Sequence, residues 1–527
     1  MYWSMLTCVI FQVDALEQDA LDIICLIRSW RNRLAPISRV PPEVLILIPD
    51  FWGKRRGEKA AITLTHVCRA WREMFTSRSL LWTDFDCADA EKTRVYLERS
   101  KSSPINLRLD RENGLLPHDP FLQIAPHAVG RLKHLFVCTT PDHLQDITNY
   151  LSHPAPLLED LTILGSADDP FLNPVLPITL FGGDLSSLHE LCVHSVATNL
   201  PWRNMANLTI FTLGYAYRPG ITIGQLLDFF ESAPYLIDVE LSFATPTSGV
   251  QNGRLLSLAR LRKLVFYGSE PPSLLLDHLL IPAGTKMRSD LDLPGPRIED
   301  HLPRSLDNLK NLSDFTKVCF CFRDNFASIR FAGPNGQVCV GSMFSESDII
   351  RSVPRCLALL DTSKTNQLEI IRGDPLSQDL HHAFLPITNL QILILSLCKN
   401  VHLLILALNP DPNSTNSIPC PKLKRLVFRT EEQFDIETMV VVAAARASRG
   451  ARLKSVKIIN HGELVPREGV MELLNYTSQV GTRFEVLNQD YGLGDDIPED
   501  SDEDSDEDSD GDSDEDSDED SDRIEEE

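Results

Sequence analysis

The chain has 527 residues, 43% of them hydrophobic, enough for about three units of ~150 residues and a sizeable core. Its net charge of −25 is concentrated at one end: between residues 495 and 527, 22 carboxylates against the single Arg523 carry −21, which leaves −4 for the other 494 residues. No run of 18 apolar residues is present, which excludes a membrane-spanning helix. The twelve cysteines are scattered, with only Cys319 and Cys321 close together and no CxxC pair, so neither a zinc module nor a secreted disulfide framework is indicated. Reduced, buried thiols in a cytoplasmic or nuclear protein are the expectation.

In chain order, the opening MYWSMLTCVIFQVDA is apolar but lacks the basic leading segment of a signal peptide. Residues 1–36 form the first region. Within it, 15–35 predict an amphipathic helix, since Leu16, Ala20, Ile23, Ile24, Ile27 and Leu34 recur at three- and four-residue steps until Pro36 stops it. Residues 37–83 follow as a small helical unit. From 104 to 485 the template Leu-x-x-Leu-x-Leu, with Ile, Val or Phe allowed, recurs at 132, 158, 188, 208, 236, 261, 390, 423 and 453. Most intervals lie near the 20–29 residues of a leucine-rich repeat. Each match predicts a short strand with alternate residues in a shared core, and ITIGQLLDFFESAP (221–234) predicts a returning helix. The pattern fades between 268 and 385, where an inserted antiparallel hairpin near 315–342 is expected, turning at Pro334-Asn335-Gly336. The fold class is therefore α/β: a small N-terminal helical motif, an irregular leucine-rich-repeat-like α/β solenoid, and a disordered acidic tail over 495–527.

Within the small unit, VPPEVLILI (40–48) places Val44, Leu45 and Ile48 on one side of a short helix. In ITLTHVCRAWREMFTSRSLLW (62–82), Leu64, Val67, Cys68, Trp71, Met74 and Phe75 follow helical spacing, and Leu80, Leu81 and Trp82 come after a break. Fewer than fifty residues cannot bury this much apolar surface among themselves. Leftover exposed apolar area marks a protein partner, and Trp and Arg are favoured at interface centres.

The arrangement V-P-P-E-x-L-x-x-I, a spacer, then L-x-x-V-C-R-x-W-R and a closing L-L-W resembles the F-box family, most of all the F-box-like proteins numerous in mushroom-forming fungi. There too a segment like Arg31-Asn32-Arg33-Leu34-Ala35-Pro36-Ile37 often precedes the box. The motif covers about 45 residues, and with its flanks the likeness extends over most of the chain except the tail. It implies a three-helix motif that docks on the Skp adaptor of a cullin-based ubiquitin ligase, while the downstream domain captures a protein substrate. Carried over by position, Val40, Pro41, Pro42, Val44, Leu45 and Ile48 supply a first contact strip. Val67, Cys68, Trp71, Leu80, Leu81 and Trp82 are divided between a second strip and the motif's own core. Two departures stand out: Pro49 sits where the family continues its first helix, and the spacer GKRRGEKAA (53–61) is strongly basic and is expected to project as a loop.

No HExxH, GxSxG or Walker-type motif is present, so no enzyme activity, cofactor or metal is expected. In the tail, Asp506, Asp508, Asp510, Gly511 and Asp512 imitate half of a calcium loop, but Ser517 stands at its twelfth position. Ser501, Ser505, Ser509, Ser513 and Ser517 each have an acidic residue three positions later, a pattern suited to acidophilic kinases. Residues flanking the framework leucines change from acidic (Glu159, Asp160, Glu190, Asp238, Glu240) to basic (Arg262, Lys263, Lys424, Arg425, Lys454, Lys457) along the chain. Nucleic acid and membrane are not expected partners. A ligase substrate adaptor is the leading expectation. The other is a scaffold or chaperone for basic nuclear proteins, acting through the tail without ligase activity.

Overall fold

Alternation of buried and half-exposed residues along short β-branched and leucine-rich segments builds the dominant feature, a 17-stranded sheet. The structure is a computed structural model. It describes residues 2–51, 57–87, 89–111, 128–139, 151–165, 176, 180–196, 204–214, 221–242, 253–268, 272–291, 301–323, 326–343, 362–372, 381, 384–410, 418–431, 434–460 and 465–484. The tail, with its candidate phosphorylation serines and calcium-loop imitation, lies outside them.

The strands are β1 (Asp84–Asp86), β2 (Ile105–Arg111), β3 (Leu132–Thr139), β4 (Asp160–Gly165), β5 (Glu190–His194), β6 (Ile210–Gly214) and β7 (Asp238–Ser242). They continue with β8 (Leu256–Ser257), β9 (Lys263–Gly268), β10 (Leu279–Leu280), β11 (Lys286–Leu291), β12 (Lys317–Arg323), β13 (Phe326–Gly333) and β14 (Gly336–Met343). The last are β15 (Gln367–Ile371), β16 (Ile392–Ser396), β17 (Arg425–Thr430), β18 (Ser455–Asn460) and β19 (Gln479–Phe484). β8 and β10 form a separate parallel pair.

From β1 to β7, and then on to β9 and β11, each strand pairs in parallel with the one before it. From β15 to β19 the same rule holds. The two runs are joined by an antiparallel meander, β12–β13–β14, whose outer strands pair in parallel with β15 and β11 respectively. The β13–β14 turn runs through Pro334 and Asn335 to Gly336, whose φ of +130° suits only glycine, and a Cβ there would press on the Thr285 carbonyl at 2.8 Å.

All nine template matches of the sequence coincide with strands, β3 to β7, β9 and β16 to β18. In each, the leading residue and the two alternate residues after it are buried, as in Leu158, Leu161 and Ile163 or Leu423, Leu426 and Phe428. A turn closes at the leading residue of each of them except Leu453; Leu188 N–H donates to Leu185 O and Leu236 N–H to Ala233 O. Backbone bonds also link successive strand starts: Glu159 N–H to Lys133 O, His189 to Glu159, Thr209 to His189, Ile237 to Thr209 and Arg262 to Ile237, all 2.7–2.9 Å. One continuous apolar cluster runs under the sheet from Ala61 and Trp82 to Leu473.

Helices begin with α1 (Tyr2–Leu34), which starts well before the expected residue 15 and ends ahead of Pro36 as the sequence requires. α2 (Pro42–Leu45), α3 (Ile48–Phe51), α4 (Gly57–His66) and α5 (Arg69–Ser77) make up the small unit, and α6 (Ala90–Ser100) packs beside β1. Pro49 occupies the second position of α3, where its missing N–H costs nothing, so the chain breaks after α2 and restarts. Of the basic spacer, residues 57–61 belong to α4 and not to a projecting loop; 52–56 lie outside the described residues. α7 (Ile223–Ser232) fills the return before β7, opened by a reciprocal Thr222–Gln225 capping box. α8 (Ser273–Leu276), α9 (Val401–Leu406), α10 (Ile436–Ser448) and α11 (Arg467–Leu473) complete the set of named helices. No helix among the described residues is long and apolar enough to cross a membrane.

Two buried polar residues tie this core together. Arg446 on α10 is fully buried, and its Nη1 donates to Leu408 O (3.2 Å) and Pro419 O (2.7 Å) while Nη2 donates to Cys420 O (2.8 Å). Removing the guanidinium strands the Leu408 and Pro419 carbonyls and leaves Cys420 O only its bond from Leu423 N–H, so Arg446→Met is expected to cost about 3 kcal/mol or more in urea unfolding, far above an exposed Arg→Met control such as Arg69→Met. His301, also fully buried, has Nδ1 2.9 Å from Ser289 Oγ, and burial pushes its pKa down to about 3. The unfolded imidazole takes a proton near pH ~6.5 while the folded one stays neutral, so stability is lost as pH falls from about 6.5 towards 3, by ~1.4 kcal/mol per unit. Urea midpoints measured between pH 7 and 4.5 should fall more steeply for the wild type than for His301→Asn.

Candidate functional site

Two surfaces carry chemistry: the helical unit before the sheet and the polar face of the sheet itself. In the helical unit, α4 packs on α5, on α3 and on β1, and the 3-10 turn Ser79–Trp82 packs on α4 and α6. The inside is apolar. Leu45, Ala60, Ala61, Leu64 and Phe75 are buried, and Trp71 meets Phe75 edge to face at 5.5 Å. Arg78 caps the arrangement from α5, donating from Nη1 to Ile46 O just beyond α2, and Arg72 Nε donates to Thr65 O.

The twelve candidate partner residues divide clearly. Val44 (52% exposed), Val67 (51%) and Leu80 (65%) stand in solvent, with Pro41 and Pro42 also exposed. Val40, Ile48, Cys68, Trp71 and Leu81 are half-buried. Leu45 and Trp82 are core: Leu45 is corrected from the first contact strip, because its side chain turns inward, and Trp82 falls on the motif's own-core side of the division that the sequence left open. Trp82 is 1% exposed, donates its Nε1–H to Phe75 O (2.9 Å), meets Tyr96 edge to face at 5.0 Å and lies under Arg99 at 4.3 Å. Its ring, ahead of the first strand, takes the leading inward position, followed by Phe85 within β1 and Cys87 just after it, the same spacing as in the leucine template. Spacing alone missed Ile37, Leu47 and Ile62, which are exposed on the same short segments.

The polar face of the sheet is built by register. In the first cross-strand row, Asp84, Asn106, His134, Asp160, Glu190, Ile210 and Asp238 stand side by side on β1 to β7. The row then continues with Lys263, Lys286, Gln337, Ala332 and Lys317, and later with Arg425. In the next row Glu240 is followed by Val265 and Arg288, with Arg330, Glu369 and Lys457 further on. The sign of charge thus changes between β7 and β9, where Asp238 pairs directly with Lys263. Glu159, Arg262, Lys424 and Lys454 sit at the strand starts and extend both halves.

At the acidic end a shallow depression of about 300 Å³ is lined by Asp84, Arg108, His134, Phe136, Asp160 and Glu190 among others. His134 Nδ1 lies against an Asp160 carboxylate oxygen, and Arg108 lies 4.7 Å from the centre of the Phe136 ring while bonding Asp110 at 3.1 Å. Burial raises the pKa of Asp84, against the opposing pull of His134. Burial also raises that of Glu190, reinforced by Asp160. Beside them, burial pushes the Cys192 thiol up to about 11, and the His194 imidazole is lowered by burial despite Glu240. These are groups suited to holding cations or hydrogen-bond donors. No cluster of three or more His, Cys, Asp or Glu side chains with metal-binding geometry occurs among the described residues.

A scan against protein-family models found no match, and a search of curated proteins found none either.

The division of the helical unit has a direct test. Trp82→Ala should cost about 3–5 kcal/mol of stability, the usual range for a buried aromatic truncated to Ala. Leu80→Asp, two residues away in solvent, should shift stability by no more than ~0.5 kcal/mol. Chemical denaturation of the two variants beside the wild type checks both.

Proposed function

We propose that the chain is the substrate-recognition subunit of a Skp–cullin–F-box ubiquitin ligase, binding the Skp adaptor through residues 37–83 and a protein substrate through the sheet domain. On this reading it is not an enzyme; ubiquitin transfer belongs to other subunits, and this chain positions the substrate. The sheet domain is then an irregular leucine-rich-repeat-like solenoid, its polar face the substrate surface.

One observation carries the reading. The short helices whose sequence resembles an F-box keep Leu64, Phe75 and Trp82 inside and leave Val44, Val67 and Leu80 more than half exposed. A self-contained helical domain would turn such residues inward, and an adaptor groove would cover them. The polar face supports the second half of the proposal: its acidic rows complement basic segments of a substrate and its basic rows acidic ones, a pattern that governs specificity and association rate more than affinity.

The test uses the full chain, because Trp82 joins the helical unit to the sheet core and a fragment would cut through it. Co-purification with the Skp adaptor should give a stoichiometric complex. Val44→Asp combined with Leu80→Asp should abolish it while the far-ultraviolet circular dichroism stays that of the wild type. A folded wild type that captures no adaptor overturns the proposal.

A further inference from the structure

α1 extends 33 residues, yet its main contact with any other described element is the 3-10 turn Pro36–Arg39 that directly follows it. Its apolar side chains stand in water: Val13 is 55% exposed, Leu16 68%, Ile23 61%, Ile27 58%, Trp30 61% and Leu34 77%. With Ala20, these residues fall at alternating steps of three and four over the three heptads from 13 to 34. That is the seam of a coiled coil, with Val13, Ala20, Ile27 and Leu34 at one core position and Leu16, Ile23 and Trp30 at the other. A helix exposing such a seam gains most of its stability from whatever covers it.

The charges beside the seam say what covers it. Glu17 and Asp19 flank its first half, and Arg31 and Arg33 flank its second. We infer that α1 pairs with α1 of a second copy of this chain, antiparallel, about a two-fold axis at residue 25. In that register Leu16 meets the partner's Leu34, Ile23 meets the partner's Ile27, and the small Ala20 makes room for the partner's Trp30. Glu17 then lies beside the partner's Arg31 and Asp19 beside the partner's Arg33, while Ile24 and Leu26 each meet their own copies across the axis. The face is self-complementary, as an isologous interface must be. Parallel pairing fails on both counts. It would stack Trp30 on Trp30 and Ala20 on Ala20, and it would oppose Asp19 to Ile24 and Leu26 to Arg31, leaving every flanking charge unmatched. A membrane surface fits less well, because the acidic first half would be repelled by anionic headgroups. The inference does not rest on the ligase reading, since it uses no residue of 37–83.

The experiment is sedimentation velocity of the full chain over a wide concentration range at low salt, with circular dichroism of every variant. The wild type should be a dimer, and Ile23→Asp with Ile27→Asp a monomer. Glu17→Arg with Asp19→Arg should weaken the dimer at least about tenfold. Adding Arg31→Glu and Arg33→Glu to that variant should restore it. Leu26→Cys in a Cys25→Ser background should form a disulfide between copies on oxidation, since only antiparallel pairing brings the two residues 26 together. A wild type that stays monomeric overturns the inference, as does a dimer indifferent to the Glu17 and Asp19 reversals. So does a four-residue swap that stays helical without recovering the dimer. Binding of α1 to lipid vesicles by a monomeric wild type would reassign the seam to a membrane surface.

Discussion

Parallel strands consecutive in sequence can pair only if the chain crosses back between them, and each crossing must return to the same register for the inward residues to meet. That constraint organises the whole sheet. The bonds from Glu159 to Lys133, His189 to Glu159 and Thr209 to His189 hold successive strand starts level. Once they are level, Leu161, Leu191, Phe211 and Val239 fall opposite one another on the core side. On the other side the same registry lines up Asp160, Glu190 and Asp238. The charge rows are therefore a by-product of core packing, and a one-residue slip anywhere would exchange the two faces.

Trp82 shows how the helical unit depends on that constraint. A sheet that begins with the three-residue strand β1 has an edge to cover, and Trp82, Phe85 and Cys87 supply its inward row while α4 and α6 pack against it. The tryptophan's position is fixed from both sides: its indole N–H satisfies a carbonyl at the end of α5, and its ring joins the core cluster of the sheet. With the ring committed inward, the turn that carries it presents Leu80 outward. Exposure at Leu80 and burial at Trp82 are thus two consequences of one anchoring.

Much of this was legible in the sequence wherever the template residues are leucines, and it was lost where other residues play the same part. Trp82-Phe85-Cys87 has the template's spacing in aromatic and thiol residues and reads as a helix face when taken with Leu80 and Leu81. Before β15 the leading position is Thr365 and before β19 it is Thr477, both buried. Thr477 is accommodated because its hydroxyl donates to Leu473 O, a local bond that periodicity does not register. Before β11 the position falls to Gly284, with Thr285 bonding Leu261 O across the strands. The β13–β14 turn was visible because Pro334-Asn335-Gly336 signals a turn whatever surrounds it, whereas the second antiparallel pairing, β12 with β13, was not. The exposed members of the helical unit were harder, since Leu45 and Leu47 look alike in sequence and only the break after α2 sends one in and the other out.

On the proposed reading of the polar face as a substrate surface, the position of the charge reversal limits what it can hold. Strands lie about 4.8 Å apart, so Asp160 on β4 and Asp238 on β7 span roughly 15 Å before Lys263 begins the opposite sign. A ligand of uniform charge is therefore held by only one half of the row and is repelled on crossing to the other. A polypeptide with a basic stretch followed by an acidic one meets no such barrier when laid across the strands in the matching direction. Reversed, it would set like against like along its whole length. On that reading the order of the strands selects not only the charge of a substrate segment but the direction in which its chain runs.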